Sequence, residues 1–301
     1  MSHHTTADDV LTAAARVAGL DTAEADLIRD GSNVLYQLPG GVVARIGRPG
    51  SQGSARREVQ VSQWLTASGI PVVQALPNVP QPVVINGRPV TWWELLPAHR
   101  PAAPAELAAV LRAVHALPVP NGLELPEHDP LSGLDRQITE APGLRREDRA
   151  WLAHHLAQLG RQYRQLGRQY RQLTSDEPPH VIHGDAWQGN IAVPESGRPI
   201  LLDLEMMSLG RREWDLVQLA VDYTDFARLT GEDYNSFVAA YGGYDVTAVS
   251  GYRTIADLQE LRWVCFALSK SDTSTDAAHE ARHRIACLRG DLPRPWSWTA
   301  M

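Results

Sequence analysis

Cysteine is scarce in this chain, which has two cysteines among its 301 residues. Cys265 and Cys287 belong to no CxxC or histidine-rich pattern. The sequence therefore indicates neither a structural zinc site nor a disulfide framework. We expect both thiols to be buried and reduced.

Long apolar runs are absent as well. The chain has no uncharged stretch of 18 apolar residues, and residues 1–30 have no basic segment that leads into an apolar one. Neither a membrane span nor a secretory signal is indicated, so we expect a cytoplasmic protein. The formal charge of −7, from 28 basic and 35 acidic residues, disfavours a nucleic acid or an anionic membrane as partner and tolerates a cationic small molecule.

Turn signals divide the first third of the chain into short strands and helices. Hydrophobic periodicity predicts the following elements: a helix over 7–20, a hairpin over 31–46, a helix over 54–68, and strands over 82–85 and 89–96. Three prolines in residues 97–104 mark the change to mainly helical patterns. We therefore predict an α+β N-terminal lobe over residues 1–96 and a larger, mainly helical C-terminal lobe over residues 97–301.

Helical patterns dominate the rest of the chain. They predict helices over 105–117, 147–173, 213–229, 232–241 and 254–270. The longest contains LGRQYRQ twice in succession, at 159–165 and 166–172, with leucine and tyrosine at steps of four and three. This stripe is typical of a long helix packed along one face, and a dimerising coiled coil is the alternative. We expect a monomer or a homodimer.

The most specific pattern is HGDAWQGN at 183–190, followed by ILLDLE at 200–205. Phosphoryl transfer needs a divalent ion on the phosphates, a base near the attacking hydroxyl and positive charge on the phosphates. Asp185 can serve as the base, and Asn190 and Asp203 as oxygen ligands suited to Mg²⁺. One tight loop can bring Asn190 back towards Asp185, and Asp203 is expected at the end of a buried strand.

These motifs resemble the aminoglycoside phosphotransferase family, whose members are relatives of the protein kinases. HGDAWQGN resembles the family's catalytic loop and LLDLE its metal-binding segment. GRREWDLVQLA at 210–220 resembles the segment in which an acidic residue, here Asp215, braces the catalytic loop. The likeness covers about residues 25–270 and includes LRAVHALP at 111–118. It implies a two-lobed α+β, kinase-like fold with a small antiparallel sheet in the N-terminal lobe.

Upstream, the resemblance implies a nucleotide-binding half. GSNVLYQL resembles the hairpin that covers the phosphates, here with Ser32 and Asn33, and VVARI resembles the strand that carries the phosphate cation, here Arg45. Glu58 on the next helix is the expected ion-pair partner of Arg45. The chain departs from the kinase pattern because it has arginine in place of lysine and few glycines in the hairpin. Arginine is always charged and can bind two oxygens at once, so it can still bind phosphate. A surface or structural ion pair is the alternative role for Arg45.

Four further residues have expected supporting roles. Glu94 and Leu95 resemble the hinge that offers backbone groups to the nucleotide base. His183 is expected to hold the catalytic loop by packing and hydrogen bonding. His115 lies on an apolar helix and is expected to be a core histidine with satisfied hydrogen bonds.

Substrate residues are harder to identify from the sequence. Trp187 lies inside the catalytic loop, where it either stacks on a substrate or is partly buried core. Asp222 and Asp225, with Glu232 and Asp233, form an acidic cluster. This cluster either lies on a solvated face or holds an aminated substrate.

The expected function is transfer of the γ-phosphate of ATP or GTP, with Mg²⁺, to a hydroxyl of a small molecule. The family includes kinases that inactivate aminoglycosides and other antibiotics. It also includes metabolic kinases for choline, homoserine, methylthioribose and sugars, so both acceptor classes stay open. A catalytically silent binding protein is a further alternative, suggested by Arg45 and opposed by the intact Asp185, Asn190 and Asp203.

Overall fold

The computed structural model describes residues 6–173 and 179–299, with the backbone alone for 171–173. The elements in chain order are α1 Ala7–Ala18, β1 Asp26–Asp30, β2 Val34–Leu38, β3 Val42–Ile46, α2 Gln52–Ala67, β4 Val83–Ile85, β5 Arg88–Glu94, β6 His99–Pro101, α3 Pro104–His115, α4 Leu134–Glu140, α5 Arg146–Leu173, β7 His180–Ile182, β8 Ile191–Pro194, β9 Ile200–Leu201, β10 Ser208–Gly210, α6 Glu213–Thr224, α7 Gly231–Tyr241, α8 Tyr252–Lys270 and α9 Thr275–Arg289. Short 3-10 turns are formed by Gln188–Asn190, Leu204–Met206 and Val246–Ala248.

The chain folds into two compact units. The first unit consists of Met1–Ala103, Ala116–Pro126 and Gln188–Ser208, and the second of Pro104–His115, Glu127–Trp187 and Leu209–Met301. Both units are discontinuous in sequence, whereas the expected lobes are consecutive segments. The lobe boundary after residue 96 stays a prediction.

The first unit is built on a five-stranded antiparallel sheet with the order β1-β2-β3-β5-β4. The predicted hairpin is formed by β2 and β3, which pair from Val34 with Ile46 to Leu38 with Val42. Its turn contains Gly40, whose φ of 76° is a left-handed conformation that glycine adopts without a Cβ clash. Alternate side chains of both strands are buried, and the apolar face of α1 packs on them.

A second, smaller sheet of the first unit has the order β6-β8-β9. Ile191 of β8 pairs with Leu201 of β9. The amide of Leu202 donates to the carbonyl of Asn190 over 2.9 Å. Since Asp203 follows Leu202, the end of β9 lies next to the 3-10 turn that precedes β8.

The second unit is mainly helical. Leu152, Leu159 and Leu166 of α5 are buried in its core with side chains of α6, α8 and α9. The predicted stripe is confirmed at these positions, and the side chain of Leu173 lies outside the described residues.

The predicted helix over 213–229 is wrong at its C-terminal end, because α6 stops at Thr224. Ala227 has a φ of 49°, which breaks the helical path. The carbonyl of Asp225 instead accepts from the amide of Trp296 over 2.8 Å. A segment near the C-terminus thus provides the hydrogen bond that the Asp225 carbonyl would otherwise accept from the next turn of the helix.

Both cysteines are buried free thiols, as expected. Burial raises the pKa of Cys265 to about 12 and also raises that of Cys287. None of the helices in 6–173 and 179–299 combines the length and the apolar character needed to cross a membrane.

Candidate active site

The segment after β7 carries residues 183–187 of the predicted catalytic loop, in the second unit. Gly184 has a φ of 84°, a conformation that favours glycine, and it turns the chain between His183 and Asp185. His183 is fully buried. Its Nδ1 accepts from the amide of Asp185 over 3.3 Å, so the ring contacts the backbone of its own loop.

Asp215, in the first turn of α6, contacts this loop through its carboxylate. The amides of His183 and Gly184 donate to its two oxygens over 2.7 and 2.8 Å. Next to it, Nε1 of Trp214 donates to the carbonyl of Gly184 over 3.1 Å. Three hydrogen bonds from one turn of helix therefore hold the backbone immediately before Asp185.

A buried histidine completes the surroundings of Asp215. Nε2 of His115 lies 2.9 Å from Oδ2 of Asp215, and Nδ1 lies 2.7 Å from the hydroxyl of Tyr241. Burial acts to raise the pKa of Asp215, but the hydrogen bond and charge of His115, with His183, hold it below its ordinary value. Asp215 is thus ionised at neutral pH, and both ring nitrogens of His115 have partners.

Asp185 is half-buried, and Trp187 two residues later is 45% exposed. Sequence reasoning missed Arg262 of α8. Burial lowers the pKa of Arg262, and the negative charge of Asp185 acts against that effect. The guanidinium donates to the carbonyl of Pro130 over 3.1 Å and lies 5.6 Å from the Trp214 ring. No local motif marks Arg262, because only tertiary packing brings α8 near the loop.

In the first unit, Arg45 of β3 lies at the centre of a polar network. Its Nη1 donates to Glu58 of α2, and its Nη2 donates to Glu205 over 3.0 Å. Nη2 also lies 3.9 Å from Oδ1 of Asp203. With the amide oxygen of Asn33 turned towards the guanidinium, that oxygen accepts from Nε at 3.1 Å and from Nη2 at 2.7 Å.

Glu58 is the buried partner in this network. Burial raises the pKa of Glu58 to about 7; the charge of Arg45 acts to lower it, and those of Glu205 and Asp203 act to raise it further. The buried carboxyl group is therefore only partly ionised at neutral pH, and the charge of Arg45 is what keeps its pKa from rising further.

The network opens on a cavity of about 550 Å³ within the first unit, a volume typical of small-molecule sites. Leu35, Val43 and Leu204 contribute apolar surface to it. The predicted site residues that line it are Ser32, Asn33, Arg45, Glu58, Glu94, Leu95, Asn190 and Asp203. The structure thus brings together the predicted phosphate, hinge and metal residues of the first unit.

The expected hinge residues Glu94 and Leu95 line the cavity, but their amides are occupied. The amide of Glu94 donates to the carbonyl of Gln74 over 2.9 Å, and the amide of Leu95 to that of Gly41 over 2.8 Å. Neither N–H is available to a base. Leu96 also lines the cavity, and its amide has no acceptor within residues 6–173 and 179–299.

Asn190 and Asp203 are the candidate metal ligands. Asn190 ends the 3-10 turn before β8, and Asp203 follows β9 with a φ of 49°. The Asp203 side chain is 49% exposed. No group of three or more His, Cys, Asp or Glu side chains in the described part of the chain is arranged to hold a metal. Two hard oxygen donors beside an open cavity fit an ion such as Mg²⁺, which keeps most of its ligands from phosphate and water.

Two residues of the acidic cluster, Asp222 and Asp225, form ion pairs with arginines in the second unit. Asp225 is 3% exposed and forms ion pairs with Arg253 over 2.7 Å and Arg294 over 2.8 Å. Asp222 pairs with Arg228 over 2.8 Å. A solvated face is therefore wrong for Asp225, and its charge is already compensated by two arginines.

Comparison with known proteins points to one family. The model of the phosphotransferase enzyme family matches residues 28–258, in agreement with the resemblance seen in the sequence. Comparison with curated proteins gives no match.

Several solved structures share the fold. The amicoumacin kinase hAmiN, in complex with AMP-PNP, Ca²⁺ and Ami, is 14% identical, with 95% of this chain and 94% of that chain covered and a TM-score of 0.68. APH(2")-IIia, in complex with GDP and kanamycin, is 14% identical, with 94% and 99% covered and a TM-score of 0.66. The choline kinase LicA from Streptococcus pneumoniae is 15% identical, with 93% and 99% covered and a TM-score of 0.61. At these identities the likeness is one of fold, and the expected α+β, kinase-like fold is confirmed.

Proposed function

The chain belongs to the phosphotransferase enzyme family, and from this we infer that it transfers the γ-phosphate of ATP or GTP to a hydroxyl of a small molecule. One observation carries the proposal: Arg45, Asn190 and Asp203 line the same cavity. A guanidinium for phosphate oxygens and two hard oxygen donors for a divalent ion are what a bound triphosphate needs.

In this proposal the nucleobase binds at residues 94–96, with the amide of Leu96 as hydrogen-bond donor. Apolar side chains such as Val43, which line the cavity, pack on the base. Ser32 and Asn33 cover the phosphates, and Arg45 binds their oxygens. The cavity volume of about 550 Å³ supports a ligand of this size.

Asn190 and Asp203 would hold Mg²⁺, which when bound neutralises charge on the phosphates. The chain's own contribution to the chemistry is Asp185. Asp185 orients the acceptor hydroxyl and takes its proton as the hydroxyl oxygen bonds to the γ-phosphorus and the bond to the nucleoside diphosphate breaks. The hydrogen bonds that the loop amides donate to Asp215, and the one that Trp214 donates to the loop, hold the backbone that carries Asp185. The exposed ring of Trp187 offers a surface to the acceptor.

An antibiotic, such as an aminoglycoside, is the first acceptor class we propose, which would make the reaction a resistance mechanism by inactivation. The kinase-fold neighbours in complex with kanamycin and with Ami support this class. A metabolic alcohol of the choline, homoserine, methylthioribose or sugar type is the second candidate. It is favoured by the pairing of Asp225 with Arg253 and Arg294, which leaves fewer free carboxylates for a polyamine.

The test is phosphate transfer by the purified protein with Mg²⁺ and ATP or GTP. The acceptor panel contains aminoglycosides, nucleoside antibiotics, peptide antibiotics and small metabolic alcohols. We expect turnover with at least one acceptor, and a loss of about 100-fold or more in Asp185→Asn and Asp185→Ala because the base is removed. Asp276→Asn, at an exposed aspartate of α9, is the matched control and should retain full turnover. Tight nucleotide binding without turnover on any acceptor would instead identify a binding protein.

A further inference from the structure

Arg45 has few donors left for a phosphate. A guanidinium carries five N–H groups. In this structure one on Nη1 binds Glu58, two on Nη2 bind Glu205 and Asn33, and the one on Nε binds Asn33. One N–H, on Nη1, remains. A phosphate that accepts two parallel hydrogen bonds from Arg45, the favoured geometry for this pair, must therefore displace a partner.

The two carboxylate partners of Arg45 differ in how firmly they are held. The Glu58 side chain is 7% exposed, whereas the Glu205 side chain is 47% exposed. Separating Arg45 from Glu58 leaves a buried carboxyl group without its hydrogen-bond partner, which is unfavourable whether the group keeps its charge or takes up a proton. Glu205 can turn into water, and an exposed ion pair contributes little to stability. Glu205 is therefore the carboxylate that yields.

The backbone explains why Glu205 faces Arg45. Asp203 has a φ of 49°, a left-handed conformation that is costly for a residue with a side chain. The 3-10 turn Leu204–Met206 follows directly. Leu204 is 3% exposed, and this buried side chain anchors the turn beside α2. The turn presents Glu205 to Nη2 of Arg45.

From these contacts we propose that Glu205 determines the nucleotide affinity of this protein by competing with phosphate for Arg45. The proposal rests on the proposed nucleotide-binding function. The carboxylate of Glu205 occupies the Nη2 edge of Arg45 until a triphosphate displaces it, and it returns once the diphosphate product remains. Glu205 thus weakens nucleotide binding and speeds product release. An arginine suits this role because its planar fork keeps Nη1 on Glu58 while Nη2 exchanges carboxylate for phosphate.

The test is the dissociation constant of ATP and of GTP, each measured in EDTA and again with Mg²⁺. In EDTA no divalent ion contributes to nucleotide binding, so the competition for Arg45 is measured alone. We expect Glu205→Gln to lower the metal-free dissociation constant about fivefold. Glu205→Asp, which keeps the charge but shortens the side chain, should lower it by a smaller factor. Glu195→Gln, at an exposed glutamate between β8 and β9, is the matched control and should leave it unchanged.

Thermal unfolding of each variant verifies that the fold is retained, which we expect because the Glu205 side chain is half exposed. The inference is overturned if Glu205→Gln leaves the nucleotide dissociation constant in EDTA unchanged or raises it. This holds whatever effect the substitution has on the constant measured with Mg²⁺. If the unaltered protein binds neither nucleotide under either condition, the proposed function itself fails. The two failures are therefore distinguishable.

Discussion

Nε2 of His115 lies 2.9 Å from Oδ2 of Asp215, although the two residues are 100 positions apart in the chain. Both side chains are buried. The same carboxylate accepts hydrogen bonds from the amides of His183 and Gly184. The last residue of α3 thus supports the backbone of the catalytic loop through one carboxylate of α6.

Replacing His115 with phenylalanine should lower the free energy of unfolding by about 2 kcal/mol, because the buried Asp215 loses a hydrogen-bond donor. Turnover should fall too, since the loop loses part of its support. Urea denaturation and transfer assays measure the two effects. His154→Phe, at an exposed histidine of α5, is the control. In a double-mutant cycle with Asp215→Asn, strictly additive losses would contradict the coupling.

The substitution Trp214→Phe should distinguish the contribution of the Trp214 hydrogen bond from that of its ring packing. The variant keeps a ring near His128, whose centroid lies 4.7 Å from that of Trp214, but it removes the N–H that binds the Gly184 carbonyl. We expect a loss of about 1 kcal/mol from this hydrogen bond, in addition to the packing loss, together with reduced turnover. Trp92→Phe is the matched control, because Nε1 of the buried Trp92 has no hydrogen-bond partner among the described residues. Equal turnover in both variants would argue against a role for this hydrogen bond in positioning Asp185.

His128 should make stability fall at acid pH. Burial lowers the pKa of His128 from 6.5 to about 4; the charges of Asp215 and Asp129 act to raise it, and that of Arg262 to lower it. The unfolded chain gains this proton near pH 6.5 and the folded chain only near pH 4. The contribution of neutral His128 to the free energy of unfolding is therefore fully present above pH 6.5. It is lost as the pH falls from 6.5 to about 4, by about 3 kcal/mol in total.

His128→Gln should flatten this part of the stability profile. The free energy of unfolding, measured by urea denaturation at a series of pH values between 7 and 4, checks the prediction. The same slope in the variant and in the unaltered protein would assign the acid dependence to other groups.

Local periodicity was sufficient to predict most elements of the fold. The hairpin of β2 and β3 and the long helix α5 were correctly predicted, because alternation and the helical repeat depend on neighbours in the sequence. The end of α6 was not, since the bond from the Trp296 amide to the Asp225 carbonyl joins distant parts of the chain. Element boundaries depend on such competition for backbone groups.

The candidate site divides in the same way. The motif residues Asn190 and Asp203 line one cavity, and Asp203 follows the end of a strand, as its apolar preceding residues indicated. The amides of Glu94 and Leu95 are already bonded to Gln74 and Gly41, which only the three-dimensional pairing of strands and loops reveals. Identifying a backbone donor from sequence requires knowledge of every acceptor nearby.

The sequence by itself determined the family of this protein and the residue types of its chemistry, because HGDAWQGN and ILLDLE are short segments that carry their own pattern. Only the tertiary structure decided which charges are free to act. Asp225 is neutralised by Arg253 and Arg294, and Arg45 is shared between Glu58 and Glu205, the latter 160 positions away. The physical reason is that a charge acts according to its burial and its partners, and both arise from packing between segments that are distant in the chain.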